Sequence, residues 1–447
     1  MPFNIYLLPK FSTKPPTFLK LVKKDISFLL YGAFASFGTY FCMYAFRKPF
    51  TVATYEDMAF VGVDYKIILI IAQVLGYMLS KFIGIKVISE LQPNKRIYYL
   101  LGLILAAEAS LLLFAITPAP YNILFMFLNG LPLGMVWGIV FSYLEGRKFT
   151  EFLGVALCSS FIVSSGAVKS VGLLVMDNWH VSQFWMPSVT GGVFLAPFVF
   201  FAWLLNKMPQ PTEEDKELRT ERKPMTGKDR KRVFLAFLFP IIILVFFYTF
   251  LTALRDFRDN FSREIWDALG FEGDAAIYTI SELPIAILVL VIIGFLGVIK
   301  NNYKAFVSYH YLLLFGTVSI GLSTLLFQMA MISPILWMIS VGFGLYICYV
   351  PFNCIFFDRM IATYRIKGNA GYLIYIADAF GYLGSMGVLL YKNFGQSQLS
   401  WLKFFMVSTY LIAILGTLIT IVSLLYFKRK YKKNLNLEKQ DFHLVEA

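Results

Sequence analysis

Long apolar runs alternate with short polar breaks along the whole chain. Twelve runs stand out, at roughly 26–57, 65–89, 97–117, 121–144, 152–175, 184–206, 233–259, 275–299, 305–328, 333–357, 370–392 and 402–427. Each is near the ~20 residues that an α-helix needs to cross the hydrocarbon core of a bilayer. The pattern predicts an all-α membrane protein, because a backbone in lipid must satisfy its own polar groups. The longest polar connection, "KMPQPTEEDKELRTERKPMTGKDRKR", divides the spans six and six. It is charged, contains three prolines and has no apolar face, so it reads as a linker. The expected organisation is a tail over 1–25, a bundle over 26–206, a linker over 207–232, a bundle over 233–427 and a tail over 428–447.

Composition narrows the class. Of 447 residues, 58% are hydrophobic, 18% aromatic and only 15% charged, whereas a soluble domain is about a quarter charged. The net charge of +13 does not point to nucleic acid, because the basic residues fall between apolar spans. Most of the 40 Lys and Arg residues lie in the first tail, the even-to-odd loops and the last tail. By the positive-inside rule both termini are then cytoplasmic. The first run is too long for a signal-peptide core and lacks a clear small-residue cleavage site, so it is expected to remain as an anchor. Cys42, Cys158, Cys348 and Cys354 lie in apolar spans without paired spacing, and His180, His310 and His443 are scattered. Neither a disulfide frame nor a metal site is expected, and no cofactor is implied.

The two halves read as copies of one another. Span 1 ends its first apolar stretch in "MYAFRKPF" and span 7 in "LTALRDFRDNF". Span 4 ("NGLPLGMVWGIVFSYLEGR") and span 10 ("SVGFGLYICYVPFNCIFFDR") share a glycine-rich start and an acidic–basic end. Arg47 and Arg255 are separated by nearly the same stretch of chain as Glu145 and Asp358. Two parallel six-span halves are the layout of the major facilitator fold, in which the halves rock about a midplane site.

Arg47 and Lys48 interrupt span 1. Arg47 could simply snorkel to the outer interface. Three features favour a place nearer the middle: cations there run against the charge rule, the feature recurs at Arg255, and the chain continues after Pro49 as "FTVATYEDMAF". That continuation suggests one long helix kinked at the proline. An arginine at mid-membrane costs at least about 2.5–3.5 kcal/mol on insertion scales, so it should face a polar cavity. Tyr40, Tyr44 and Arg47 are spaced i, i+4, i+7, and Tyr77 and Lys81 are spaced i, i+4, each set on one helix face. The tyrosines alone would fit lipid-interface packing equally well.

"YFCMYAFRKPF", "GYMLSKFIG", "GLPLGMVWG", "TALRDF", "DNWHVSQFWMP" and "GNAGYLIYIADAFGYLGS" together resemble the organophosphate:phosphate antiporters, the glycerol-3-phosphate and hexose-phosphate transporters of the major facilitator superfamily. The resemblance is strongest in spans 1, 2, 4 and 11. It implies that Arg47 and Arg255 hold a phosphate group. It also implies a pocket built from Lys81, Tyr40, Tyr44, Tyr77, Trp137 and Tyr382. Two guanidinium forks suit a phosphate dianion on chemical grounds as well. The implied solute is a small phosphorylated anion with inorganic phosphate as counter-substrate, carried by a protein in a bacterial inner membrane, and a monomer suffices.

The sequence also departs from that family. Its span 5 histidine is replaced near "FIVSSGAVKSVG", where Ser165 or Lys169 falls, and Lys169 becomes a further site candidate. The loop after span 2 reads "SEL" and lacks the family's arginine. Glu108, Glu282 and Asp378 are acids inside spans. Glu108 reads as a structural partner of a buried cation. Glu282 and Asp378 are equally well read as counter-ions or as proton-coupling acids. In "RDFRDNFSRE", Arg258 and Arg263 are expected at the outer surface with Asp256, Asp259 and Glu264. A proton-coupled carrier of another solute and a transporter-like sugar-phosphate sensor remain alternatives. An enzyme would need a nucleophile–base pair or a metal cluster that the short loops do not offer.

Overall fold

The computed structural model describes residues 23–445 apart from 146, 148, 213–214, 216–230, 232–233, 236, 298, 300, 365–369 and 396–397. Residues 1–22 of the expected N-terminal tail and most of the linker lie outside the described residues, as does the side chain of Glu90 in the "SEL" stretch.

Twelve described helices are long and apolar enough to cross a membrane. The first bundle comprises α1 (Lys23–Met43), α2 (Tyr65–Glu90), α3 (Arg96–Ile116), α4 (Ile123–Leu144), α5 (Thr150–Trp179) and α6 (Met186–Asn206). The second comprises α7 (Leu238–Asn260), α8 (Ala276–Gly297), α9 (Asn302–Gln328), α10 (Pro334–Cys354), α11 (Ala370–Leu390) and α12 (Trp401–Val445). α12 runs through the boundary at 427 where a tail was expected. Two strands, β1 (Ala59–Phe60) and β2 (Val63–Asp64), form a small hairpin ahead of α2.

The bundles repeat one packing scheme. Within the first, α1 packs on α5 and α6, α4 on α2 and α3, and α3 on α6; within the second, α7 packs on α11 and α12, α10 on α8 and α9, and α9 on α12. Between bundles α2 meets α11 and α5 meets α8. These two contacts exchange under the same pseudo-twofold relation. The glycines of α2 and α4 explain how closely those two helices approach: a Cβ at Gly76 would strike the Phe127 carbonyl, and one at Gly130 the Gln73 carbonyl. Small residues at such crossings let backbones touch in lipid. The contact fixes the height of Tyr77 and Lys81 on α2.

Span 1 is not one kinked helix. α1 stops at Met43, and the chain proceeds through 3-10 turns at Tyr44–Phe46 and Pro49–Val52, all of them buried. Pro49 has no N–H to continue the α-helical ladder. Carbonyls freed inside a membrane need donors, and polar side chains of α2 and α4 supply them. Asn129 Nδ2 donates to the Phe46 carbonyl at 3.0 Å and Gln73 Nε2 to the Arg47 carbonyl at 3.0 Å. Gln73 and Asn129 also bond each other at 2.8 Å. α7, by contrast, continues unbroken through Arg255.

Candidate functional site

The unwound turn after α1 turns Arg47 inward. Its guanidinium carbon lies 3.9 Å from the centre of the Tyr77 ring, 5.6 Å from that of Tyr382 and 5.9 Å from that of Tyr44. From the other bundle, Arg255 on α7 lies 4.2 Å over the Tyr349 ring. It donates through Nη2 to the Tyr382 hydroxyl at 3.4 Å, and Asp256 Oδ1 is equally distant at 3.4 Å. The Tyr77 and Tyr382 rings meet at 4.6 Å across the bundle interface. Tyr40 and Tyr44 stack edge-on one turn apart at 5.6 Å.

One cavity joins these groups. Tyr40, Tyr44, Tyr77, Lys81, Trp137, Phe161, Arg255, Tyr349, Asn353, Asp378 and Tyr382 line about 260 Å³ of atom-free space. Arg47 joins it through its contacts with Tyr44, Tyr77 and Tyr382. Every lining side chain is buried.

Charge in the cavity is partly balanced. Lys81 Nζ lies 2.8 Å from Asp378 Oδ2. The other oxygen of Asp378 accepts from the Tyr248 hydroxyl, which in turn accepts from Asn353 Nδ2 at 3.1 Å. Asp256 accepts from Ser385 at 2.8 Å. Three cations thus face two carboxylates. Among the described residues no carboxylate lies within ion-pair distance of Arg47, and the Nε atoms of Arg47 and Arg255 and the Trp137 indole N–H have no acceptor. Buried donors without acceptors are costly, and here they cluster around one space.

Lys169 and Glu282 do not reach this cavity. They line a second site toward the face opposite the termini, with Ser165, Arg258, Asp259 and Ser262. Lys169 Nζ sits 2.5 Å from Asp259 Oδ1, Asp259 also pairs with Lys48, and Ser165 donates to it. Lys48 and Lys169 belong to the first bundle and Asp259 to the second. The cluster therefore ties the bundles together, and Lys66–Glu264 at 2.5 Å does the same. Arg258 is buried in an ion pair with Glu282 at 2.5 Å, not at the outer surface as its neighbours in sequence suggested. The long reach of α7 carries it inward onto α8.

Near the termini a different pair bridges the bundles. Arg359 Nη2 lies 2.9 Å from Glu151 Oε2 at the start of α5, and Arg359 Nη1 donates to Asn302 at 2.7 Å. The central cavity is therefore closed by inter-bundle contacts on both sides. Glu108 departs from expectation too. Among the described residues it pairs with no cation, and accepts only from Ser188 at 2.7 Å on one oxygen. Its helix faces α6, which carries no charged residue.

Sequence reasoning missed Phe161, Tyr248, Tyr349, Asn353, Arg359 and Glu151. The "FFDR" end of span 10 held the signal for Arg359. Phe161 opens "FIVSSGAVKSVG", and Tyr349 and Asn353 lie within the span 10 stretch, but nothing local marks which turn faces the cavity; Tyr248 and Glu151 carry no local signal.

Among solved structures, the chain is similar to a D-xylose–proton symporter, with 13% identity, a TM-score of 0.60, and coverage of 89% of this chain and 97% of that one. The major facilitator superfamily proton:xylose symporter XylE is similar at 14% identity and a TM-score of 0.60, covering 89% and 95%. The nucleoside transporter NupG is similar at 12% identity and a TM-score of 0.55, covering 90% and 100%. These likenesses show the major facilitator fold, two pseudo-symmetric six-helix bundles, and the twelve long apolar helices make the protein an integral multi-pass membrane protein. No curated protein matches the sequence. A family model matches residues 49–430, and the chain belongs to that family, DUF5690, a family of unknown function.

Proposed function

We propose that the protein is a secondary carrier that moves a small organic anion, a phosphate ester, in exchange for inorganic phosphate. The observation that carries this reading is the pair Arg47 and Arg255, one from each bundle, with unsatisfied donors around one buried cavity. A dianion bound between them would draw both bundles onto itself and offset the repulsion of the empty site. Loaded, the carrier rocks; empty, it resists. Obligatory exchange follows from that difference. Lys81 adds a third cation whose charge Asp378 already meets, so it tunes the site while the arginines grip the anion. In this reading the protein sits in a bacterial inner membrane with both termini in the cytoplasm, and it is not an enzyme.

A second reading is a proton-coupled carrier of an uncharged solute. It is favoured by the Lys81–Asp378–Tyr248 network, since protonating Asp378 would release Lys81 and Tyr248 together. The proton symporters of similar fold agree with it. Radiolabelled phosphate uptake into proteoliposomes preloaded with phosphate separates the two. Exchange in the wild type that is lost in Arg47→Lys and Arg255→Lys supports the antiporter. No exchange by a folded wild type, together with solute uptake driven by an imposed pH gradient, supports the second reading instead.

A further inference from the structure

Glu108 is a carboxyl group inside the membrane that no cation balances among the described residues. It lies on α3, 9% exposed. Leu105 and Leu112, at i−3 and i+4 on the same face, are 55% and 42% exposed. The carboxyl group thus sits at the inner edge of a lipid-facing stripe. Ser188 on α6 donates to Oε1 at 2.7 Å, and Oε2 has no partner. Oε2 is lodged against the Gly191 backbone, in a place a Cβ there would occupy, and the Phe46 ring borders the same spot.

Where they meet Glu108, the elements packed on α3 offer no countercharge; the 3-10 turn Pro93–Lys95, which also packs on α3, carries Lys95, but at the far end of the helix beside Arg96. α4 and α6 contain no Asp, Glu, Lys, Arg or His at all; their only titratable side chain is Tyr143. The turn Tyr44–Phe46 offers Tyr44. Arg96, at the start of α3, is roughly 18 Å away along the axis at 1.5 Å per residue, and Arg47 is engaged with the Tyr77 ring. An ionised carboxylate in such a seam is expensive. A neutral acid needs no countercharge and keeps the bond from Ser188.

We propose that Glu108 is a proton-binding site of the first bundle, carried as the neutral acid in the α3–α6 seam. Its position gives the proton a consequence. Asn129 bonds both the Ala107 carbonyl next to Glu108, at 3.1 Å, and the Phe46 carbonyl next to Arg47, at 3.0 Å. Losing the proton would draw water or a cation into the seam that supports the Arg47 turn. The site is independent of which solute the carrier takes.

An apolar carbodiimide tests this, because it partitions into the bilayer and reacts with protonated carboxyl groups. The acid O–H adds across one C=N bond, its proton going to nitrogen. The O-acylisourea then rearranges to a stable N-acylurea with nothing lost. Dicyclohexylcarbodiimide is applied to the full-length protein in membranes, and peptides are mapped by mass spectrometry. The expected result is a label on Glu108 that is lost in Glu108→Gln and kept in Glu282→Gln. In the wild type it should decline as pH is raised, a series that needs no variant to fold. A folded wild type whose Glu108 stays unlabelled from acid to alkaline pH overturns the proposal, as does a label independent of pH.

Discussion

Replacing Asp378 by Asn removes the carboxylate paired with Lys81 while keeping nearly the same shape. Lys81 Nζ and Asp378 Oδ2 are 2.8 Å apart, with side chains 2% and 5% exposed. At an effective dielectric constant of 20 the gross attraction at that separation is roughly 6 kcal/mol. Desolvation of both groups offsets much of it, and measured losses on breaking one side of a buried pair are about 3–5 kcal/mol. Asp378→Asn should therefore lower the thermal midpoint of the detergent-solubilised protein markedly. Lys81→Met with Asp378→Asn should recover most of that loss, since neither partner is then left charged and alone. The single variant should also gain more stability from added phosphate than the wild type does, because an anion can replace the missing carboxylate beside Lys81. An Asp378→Asn protein as stable as the wild type, or a double variant no better than the single one, would mean that the Lys81–Asp378 pair does not stabilise the fold.

Gln73→Ala and Asn129→Ala each strip a donor from the carbonyls freed by the 3-10 turns. Each should cost about 1–3 kcal/mol, read as earlier unfolding by heat, with the double variant less than additive because the two side chains bond each other. Glu151→Gln should weaken the bridge to Arg359 near the termini. Reaction of the buried Cys354, whose Cβ packs beside Gly154 on the same helix as Glu151, with a water-soluble maleimide should then speed up; an unchanged rate would mean the bridge does not hold that side shut. Asp259→Asn should release Lys48 and Lys169 together, so cysteines placed near Ser165 should become reactive from the opposite face.

How far the sequence anticipates the structure depends on whether the cause is local. Span number and the two-half repeat are legible because apolar length and repeated motifs are properties of neighbouring residues. The gathering of Tyr40, Tyr44, Tyr77, Lys81 and Arg255 is partly legible from i, i+4 spacing within each helix. What the sequence hides is partnership across the interface. Lys169 looks like a lone cation in an apolar run until Asp259, from the other bundle, is placed against it. Arg258 looks like a surface residue among other charges, yet Glu282 on the next helix draws it inward. The break after Met43 is hidden for a related reason. The proline suggests a kink, but a full unwinding is tolerated only because Gln73 and Asn129 stand ready on other helices to take the freed carbonyls. Glu108 misleads the other way: an acid inside a span is expected to pair with a buried cation, yet α6, which packs against it, carries none.

If one anion is held by Arg47 and Arg255 together, equilibrium binding of radiolabelled phosphate to the purified protein must depend on both. Each charge-assisted contact contributes about 1.5–3 kcal/mol, or roughly ten- to 150-fold in affinity at 1.4 kcal/mol per tenfold. Arg47→Ala and Arg255→Ala should each lose at least that much. The double variant should lose less than the two losses combined, because neither arginine can grip the anion well without the other. Phosphate binding unchanged in both single variants would contradict that joint hold.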